Sequence, residues 1–357
     1  MYIKKFIASL RKEARRNNQI VDISQWVNIL ATDVIGDLTF GESFGGLDSG
    51  LLHPWLQALF TTTKAYTFTR EILRLPTPFI KAAMACIPKK MREHQEGALA
   101  FGAEAARRRL AQTTDRPDFM SYILRHNGDE GKGMSRDELD MAAITFIIAG
   151  SETVSTMLSG TIYLLLSNRS VLDEFTKTIR SDFPEESDLT NTALQKHEYL
   201  TGVLKEGLRL YPPTPDRLFR TTANQSVIIA GKMVPPHTNV TINLWAANRS
   251  RANFHEPLKF VPERWMAEAP PAYLYDDKDV FRPFSVGPRD CIGKNLAWAE
   301  IRLILAYLVW HFDFLGIEPD SKQWIERQKI FTLWGKLPLN VNIVPRCHEG
   351  QGEGALD

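Results

Sequence analysis

The sequence predicts a mainly α fold with minor β structure, and three observations carry that expectation. Apolar residues recur at helical spacing through most of the first two-thirds. Short alternating segments then flank Gly231 and Pro235-Pro236. A proline-rich, irregular stretch from about Ala252 to Pro288 separates them from one more strong helix. Helices, a small sheet, a coil and a helix, in that order, argue against a doubly wound sheet, where strands and helices alternate. A long ordered coil inside a domain usually marks a functional element.

Taken in order, Ile20 to Phe40 reads as a helix stopped by Gly41, and Leu73 to Pro88 as an apolar, proline-broken, exposed stretch. Glu96 to Leu110 is alanine-rich and helical. Gly128 to Gly133 reads as a glycine loop, after which Ser135 caps a long helix running past Gly150 to about Leu166. Thr190 or Thr192 caps a further helix ending at Tyr211-Pro212-Pro213, because proline cannot continue it. Ser226 to Ala230 and Val240, Ile242 and Leu244 alternate as strands. Gly293 to Phe312 is the last helix and Leu339 to Val344 a short β-like ending. The division expected is one domain over 1–345 and a flexible tail over 346–357, where glycine recurs in CHEGQGEGALD.

Composition narrows the function classes. The 357 residues are 44% hydrophobic and 24% charged, as in globular proteins with a real core, and the formal net charge of +1 gives no reason to expect nucleic acid as a partner. Two basic clusters, Lys89-Lys90 with Arg92 and Arg107-Arg108-Arg109, read as solvated helix faces. Cys86, Cys291 and Cys347 lie far apart, without a CxxC pair or a zinc-ligand spacing, which fits a reducing compartment rather than a disulfide framework. Met1-Tyr-Ile-Lys-Lys opens no apolar run of signal or membrane-span length, and the longest apolar run, Met141 to Gly150, is too short to cross a bilayer. The chain as written reads as soluble or peripheral.

The chemistry concentrates in Phe284-Ser-Val-Gly-Pro-Arg-Asp-Cys-Ile-Gly293. A lone cysteine stands between two glycines, directly before a helix N-terminus. Gly287 permits a tight turn that other residues resist. The helix dipole and free backbone N–H groups favour an anion at Cys291, so its thiolate is supported and suited to a soft metal or haem iron. Gly293 lets a flat ligand approach the backbone, and Arg289 offers a fixed positive charge to a carboxylate. A buried structural cysteine at a helix start is the bland alternative for the cysteine alone.

The segment resembles the cysteine-ligand loop of cytochromes P450: Phe, two residues, Gly, one, Arg, one, Cys, one, Gly. All five named positions match, at Phe284, Gly287, Arg289, Cys291 and Gly293. The resemblance implies that Cys291 is the axial ligand of haem b (iron protoporphyrin IX), that Phe284 packs near the sulfur, and that Arg289 pairs with a haem propionate.

Three further motifs follow the same family order. Ala149-Gly150-Ser151-Glu152-Thr153 lies inside the long helix, where glycine costs about 1 kcal/mol relative to alanine. Gly150 would open space for a flat group, and a threonine hydroxyl can bond back to a carbonyl one turn earlier; a simple glycine packing contact beside an ordinary acid is the other reading. The pentapeptide resembles the family's oxygen-activation motif. The likeness implies that Thr153 holds dioxygen and its water, that Glu152 assists proton delivery, and that Ala149, on Thr153's face, sits over the haem. Glu206 and Arg209, at i and i+3, could be a surface pair worth ~0.3 kcal/mol. With Arg264 in Phe260-Val-Pro-Glu-Arg264-Trp, they resemble the family's Glu-x-x-Arg motif and its partner arginine, a buried support for the coil. Arg220 stands where relatives often keep a second propionate-binding arginine, with Arg217 a near competitor. Pro213, Thr214 and Pro215, and Phe331, Thr332 and Leu333, stand where relatives line the substrate pocket.

The resemblance covers roughly Ile20 to Arg346. It is nearest to fungal microsomal members through Val34-Ile-Gly-Asp-Leu-Thr-Phe-Gly-Glu42 and Thr332-Leu-Trp-Gly-Lys-Leu-Pro-Leu339. It implies a P450 fold without the N-terminal anchor, first helices and part of the small sheet, since no Trp-x-x-x-Arg motif precedes the distal helix. The implied activity is monooxygenation of a small apolar organic substrate, of the secondary-metabolite kind, with O2 and electrons from an NADPH-dependent reductase. A shortened relative that binds haem without turnover is the alternative. The implied location is the cytosolic face of the endoplasmic reticulum membrane, or the cytoplasm where no anchor is present, and the stretch Leu73 to Pro88 is a candidate to dip into a membrane.

Overall fold

In the computed structural model, which describes residues 1–85, 89–112, 116–126 and 133–346, helices dominate and the strands are short. The N-terminal part comprises α1 (Tyr2–Arg16), β1 (Ile20–Asp22), α2 (Ile23–Phe40), the short α3 (Gly46–Ser49), α4 (Pro54–Ile72), α5 (Thr77–Ala85), α6 (Lys89–Ala111) and α7 (Phe119–His126). The centre holds α8 (Arg136–Ser167), α9 (Arg169–Asp182), α10 (Asn191–Lys196) and α11 (Glu198–Leu210). Next come β2 (Arg220–Thr221), β3 (Val227–Ile229), β4 (Lys232–Val234), β5 (Asn239–Val240) and α12 (Leu244–Asn248). A coil with isolated 3₁₀ turns leads to α13 (Lys294–His311), β6 (Phe312–Ile317), β7 (Lys329–Ile330), β8 (Trp334–Gly335) and β9 (Asn340–Pro345). The expected glycine loop lies outside the described residues except for Gly133, and so do Cys86, Cys347 and residues 347–357.

The long helix α8 organises the core. Ser135 and Glu138 form the box that starts it: Glu138 N donates to Ser135 Oγ at 3.3 Å and Ser135 N to Glu138 Oε2 at 2.7 Å. Its second half is buried almost all round against α2, α9, α11 and α13. Two of its buried serines bond back to their own helix, Ser151 Oγ to Ile147 O at 2.6 Å and Ser159 Oγ to Ser155 O at 2.7 Å. The whole helix is long and apolar enough to cross a membrane, with a mean hydropathy of 1.4 over its best window, which the run Met141 to Gly150 alone did not reveal. Neighbouring helices take up much of that apolar surface, as expected of a core helix.

Two glycines set the closeness of α8 and α11. A Cβ on Gly160 would stand 2.0 Å from the Tyr211 ring, and one on Gly207 would stand 2.1 Å from Thr161 Oγ1. A smaller cluster joins α2, α4, α6 and the first half of α8 through Ile35, Leu56, Ala106 and Ile147. The main sheet is antiparallel in the order β1-β9-β6, with Val21 opposite Val341 and Phe314 opposite Ile343. The pairs β2-β5, β3-β4 and β7-β8 are separate two-stranded pieces.

Several expectations are corrected. The residues Ile20 to Asp22 are a strand, because β9 offers them a partner; Asp22 then caps α2, its Oδ1 accepting from Gln25 N at 3.2 Å and Leu339 N at 3.0 Å. The segment before Tyr211 is two helices, α10 capped by Thr190 and α11 capped by the His197 ring. Val240 ends a strand, but Leu244 opens α12, which Asn243 caps through Ala246 N at 2.9 Å. Arg109 is no solvated residue: its guanidinium is buried in a two-pronged pair with Asp118 at 2.6 and 2.9 Å, tying α6 to the start of α7.

Replacing Gly160 by alanine should cost about 1–3 kcal/mol, because α8 and α11 must separate to admit the methyl group. A urea unfolding series that leaves the midpoint unchanged would contradict this packing.

Candidate functional site

The site is assembled from the coil side first. The Glu206 carboxylate on α11 is fully buried and accepts five hydrogen bonds. Arg209 donates from Nε at 2.8 Å and Nη2 at 2.7 Å, Arg264 from Nε at 3.0 Å, Trp265 from Nε1 at 2.8 Å, and Val261 from its backbone N at 3.0 Å. Arg209 also reaches the carbonyls of Asn248 at 2.7 Å, Pro257 at 2.6 Å and Lys259 at 3.0 Å. Arg264 reaches His255 O at 3.1 Å and pairs with the buried Asp276. A coil without a backbone ladder is thus held at four places, and tied to the end of α12 at a fifth, by two arginines. Asp276 was not singled out in the sequence, because it sits in an ordinary acidic run, Asp276-Asp277-Lys-Asp279.

From this frame the coil runs to the cysteine loop. Phe284 packs its ring on Trp298 of α13 with centroids 5.7 Å apart. Ser285 and Gly287 adopt left-handed backbone, at φ 61° and 84°, so the chain folds back and Cys291 N donates to Phe284 O at 2.9 Å. Helical bonding begins directly afterwards, with Ala297 N on Gly293 O at 2.9 Å. Cys291 is exposed, and a Cβ built on Gly293 would meet only its sulfur, at 3.9 Å. Arg289 is exposed and makes no ion pair among the described residues. A soft thiol at a helix N-terminus, an unpaired guanidinium two residues away and a bare Gly293 backbone suit a thiolate-ligated haem carrying acidic side chains.

Leu296, in the first turn of α13, packs on the cluster that contains Ile144 and Ile147 of α8, as Ile148 does, so the start of α13 and the first half of α8 share one apolar cluster. Along α8, Thr145 and Ala149 are exposed and Thr153 half-buried, an open stripe that runs from the partly exposed first half of the helix to the edge of its buried second half. Thr153 Oγ1 donates to Ala149 O at 2.6 Å, the back bond expected of this motif. Gly150 is corrected: a Cβ there would meet Ile35 of α2 at 2.6 Å, so helix packing accounts for this glycine rather than room for a flat group.

Glu152 turns to the flank of that stripe. It forms an ion pair with Lys336 at 3.2 Å, and both side chains are more than nine-tenths buried. Lys336 Nζ also donates to Ser155 Oγ at 2.7 Å. Glu152 and Lys336 border a cavity of about 450 Å³ shared with Asp22, Gln57, Phe331 and Leu333. Burial lowers the affinity of Lys336 for its proton, which Glu152 and Asp22 oppose. Lys336 was quoted in the sequence only as part of a family-like ending, because its partner lies far away along the chain.

The two arginine competitors separate. Arg217 lies 3.6 Å from Asp216 and over the Phe219 ring, whereas Arg220, on β2, donates only to Phe219 O at 2.9 Å and has no acidic partner among the described residues. The expected substrate-lining segments are tied together: Trp334 stacks on Tyr211 at 4.4 Å and donates to Pro212 O at 2.8 Å. Arg70 of α4 pairs with Asp216 at 2.6 Å, and Thr67 Oγ1 lies 2.9 Å from Thr332 Oγ1.

A cysteine loop braced by a buried Glu-x-x-Arg network, beside a distal helix with an acid and a threonine, defines a haem-thiolate protein. The profile of the family described as Cytochrome P450 matches residues 1–342. The cytochrome P450 monooxygenase aclL of Aspergillus oryzae is 40% identical over 347 residues, covering 97% of this chain and 69% of that protein. The trichothecene C-15 hydroxylase of Fusarium sporotrichioides is 37% identical over 352 residues, covering 97% and 70%. In fold, the heme domain of cytochrome P450DA superposes with a TM-score of 0.76 at 22% identity, covering 97% of this chain and 73% of that one. The chain belongs to the cytochrome P450 family, and within it to the monooxygenases.

Two outcomes are expected. Arg264→Ala leaves Glu206 and Asp276 buried with one cation too few, which should cost about 3–5 kcal/mol in denaturant unfolding. Glu300, on α13, has no cation partner among the described residues, and burial raises its carboxyl from 4.5 to about 8. Because the folded state binds the proton more tightly, stability should be full below about pH 4.5 and fall as pH rises towards about 8. Glu300→Gln should flatten that fall in melting temperature, and an unchanged profile would refute the assignment.

Proposed function

We propose that the chain is a haem b monooxygenase that inserts one oxygen atom from O2 into a small apolar organic substrate, of secondary-metabolite type, using electrons from an NADPH-dependent reductase. The observation that carries this reading is the exposed Cys291 at the N-terminus of α13, together with the open Ala149–Thr153 stripe of α8. The hydroxylase relative, named for its action on a trichothecene, supports the substrate class. When bound to a thiolate, haem supplies the oxidising chemistry, consuming O2 and two electrons and releasing water.

The residues divide the remaining work. Cys291 presents the sulfur, and the Phe284 ring, braced by Trp298, packs beside the loop. Gly287 makes the turn and Gly293 keeps the backbone bare beside the sulfur. Arg289 and Arg220 would hold the haem's acidic side chains, since neither is engaged by an acid among the described residues. Ala149 leaves the open face of α8 low, so that a flat ring and a substrate fit against it. Thr153 offers a hydroxyl on that face; its own proton is committed to Ala149 O, so its free lone pairs accept a proton-bearing water. Glu152 supplies protons from the flank. Glu206, Arg209 and Arg264 hold the coil and take no part in proton movement.

The reading extends to location at the cytosolic face of the endoplasmic reticulum membrane. Its support is α5 and its approach, where Leu73, Leu75 and Phe79 are each exposed within a proline-broken segment.

The test is the carbon monoxide difference spectrum of the reduced, haem-loaded protein beside Cys291→Ala. The red-shifted band of thiolate ligation, lost in the variant, is the expected result. A band of displaced thiolate in the parent protein would refute the ligand assignment. Thr153→Ala should lower product formed per NADPH about tenfold or more while the spectrum stays intact. Full coupling in that variant would remove Thr153 from the mechanism.

A further inference from the structure

Five oxidisable rings meet one after another through the core. Trp245 meets Trp334 edge to face with centroids 5.1 Å apart, and Trp334 stacks on Tyr211 at 4.4 Å. Tyr211 meets Trp324 at 5.5 Å, and Trp324 meets Tyr163 at 5.8 Å. No phenylalanine or histidine interrupts this series, whereas the cluster of Phe44, His53, Trp55 and Phe101 mixes them. One end belongs to the segments expected to line the substrate pocket: Trp334 follows Phe331 to Leu333 and donates to Pro212 O. The other end is Tyr163, near the close of α8, 9% exposed and beside the exposed Glu326.

Filling space does not call for these residue types. Phenylalanine or leucine would do so, while each indole or phenol brings a polar hydrogen that needs an acceptor inside the core. Trp334 uses Pro212 O at 2.8 Å, Trp324 uses Leu337 O at 2.8 Å, and Tyr211 uses Gln328 Oε1 at 2.7 Å. All three acceptors are neutral carbonyls, too weakly basic to take a proton. An electron lost from Trp334 or Trp324 therefore leaves a charged hole that cannot settle, and the Tyr211 ring lies between the two indoles as a bridge. Tyr163 differs. Burial and the Glu326 carboxylate keep its phenol protonated at rest, and that carboxylate can take the proton once the ring is oxidised, because an oxidised phenol is a strong acid. At the opposite end, the Arg249 guanidinium lies 3.6 Å from the Trp245 centroid, where it would repel a positive hole. The series thus has a direction.

We propose that Trp334, Tyr211, Trp324 and Tyr163 carry an oxidising hole from the pocket to the surface, with Glu326 accepting the Tyr163 proton. This rests on the oxygenase reading given above, and it provides an exit for an oxidising equivalent that no substrate has consumed. One electron passes inward from Tyr163 and its O–H proton goes to Glu326, which leaves a neutral phenoxyl radical. A soluble thiol or ascorbate then returns one hydrogen atom to the phenol, and Glu326 gives its proton to water. Two such events, with two protons from water, reduce one unspent oxygen atom in the pocket to water.

The experiment treats the haem-loaded protein, without substrate or reductase, with meta-chloroperbenzoic acid as the oxidant. It begins from the carbon monoxide band: a parent protein without that band has lost the haem-thiolate reading, and the proposal falls with it. With the band present, electron paramagnetic resonance of freeze-quenched samples should show a tyrosyl radical. A nitroso spin trap followed by peptide mass spectrometry should place it on Tyr163. Y163F removes a single oxygen atom at the edge of the core; it should keep the carbon monoxide band, lose the tyrosyl signal and bleach its haem faster. W324F should behave alike, and if it does not fold, Y163F decides alone. Y211F keeps the bridging ring and should keep the signal, while E326Q should lower the radical yield. A parent protein without a radical, a tyrosyl signal that persists in Y163F, or haem bleaching that Y163F leaves unchanged overturns the proposal.

Discussion

The structure depends on one buried carboxylate. Glu206 sits at the meeting point of α11 and a coil that has no ladder of its own, and it can do so because its charge is balanced two for two. Glu206 and Asp276 face Arg209 and Arg264, all four side chains out of water. Such an ensemble gains little over an apolar core in free energy, since desolvation offsets the attraction. What it supplies is direction. Each guanidinium has donors left after the acids are satisfied, and four of these bonds reach carbonyls, at Asn248 where α12 ends and at His255, Pro257 and Lys259 in the coil. The coil's orphan acceptors are thereby met by side chains, which lets irregular backbone be buried at all.

The same helix carries the frame to the other half of the site. Glu206 and Gly207 are neighbours: the first faces the coil, and the second lets Thr161 of α8 approach within a side-chain diameter. Through Tyr211 at its end, α11 also grips Trp334 and so the loop that bears Lys336. The cysteine loop, the open stripe of α8 and the Glu152 flank are therefore fixed to one helix by different faces. Displacement of α11 would disturb ligand, distal face and proton side together.

The sequence disclosed whatever is local. The cysteine loop is ten consecutive residues whose order is its meaning, and Ser135 and Glu138 announce a helix start three residues apart. The Glu206–Arg209 half of the frame is visible because i and i+3 share a face. Information that depends on a distant partner was not legible. Ile20 to Asp22 becomes a strand only because Val341 lies opposite Val21, and helical spacing in the following residues masked it. Leu244 alternates like a strand residue until Asn243 is seen to cap the next turn. Asp276 and Lys336 are ordinary charges in the sequence, and their roles come from Arg264 and Glu152. Gly150 is the reverse case: a local oddity read as room for a ligand, when the room is filled by Ile35.

That glycine and its neighbour clarify how one pentapeptide serves three surfaces. Successive residues on a helix point about 100° apart, so Ala149 and Gly150 look different ways, while Glu152, three residues on from Ala149, is turned only about 60° from it and falls on the flank of the same face. Ala149 and Thr153, four apart, return to one face and stay uncovered. Gly150 faces α2 and packs closely on Ile35; Glu152 faces the cavity and meets Lys336. The motif is therefore best understood as a helix turned so that its open stripe, its packing contact and its charged flank meet three different neighbours. Its spacing is rigid because insertion of one residue would rotate the acid out of the cavity and set the threonine against α2.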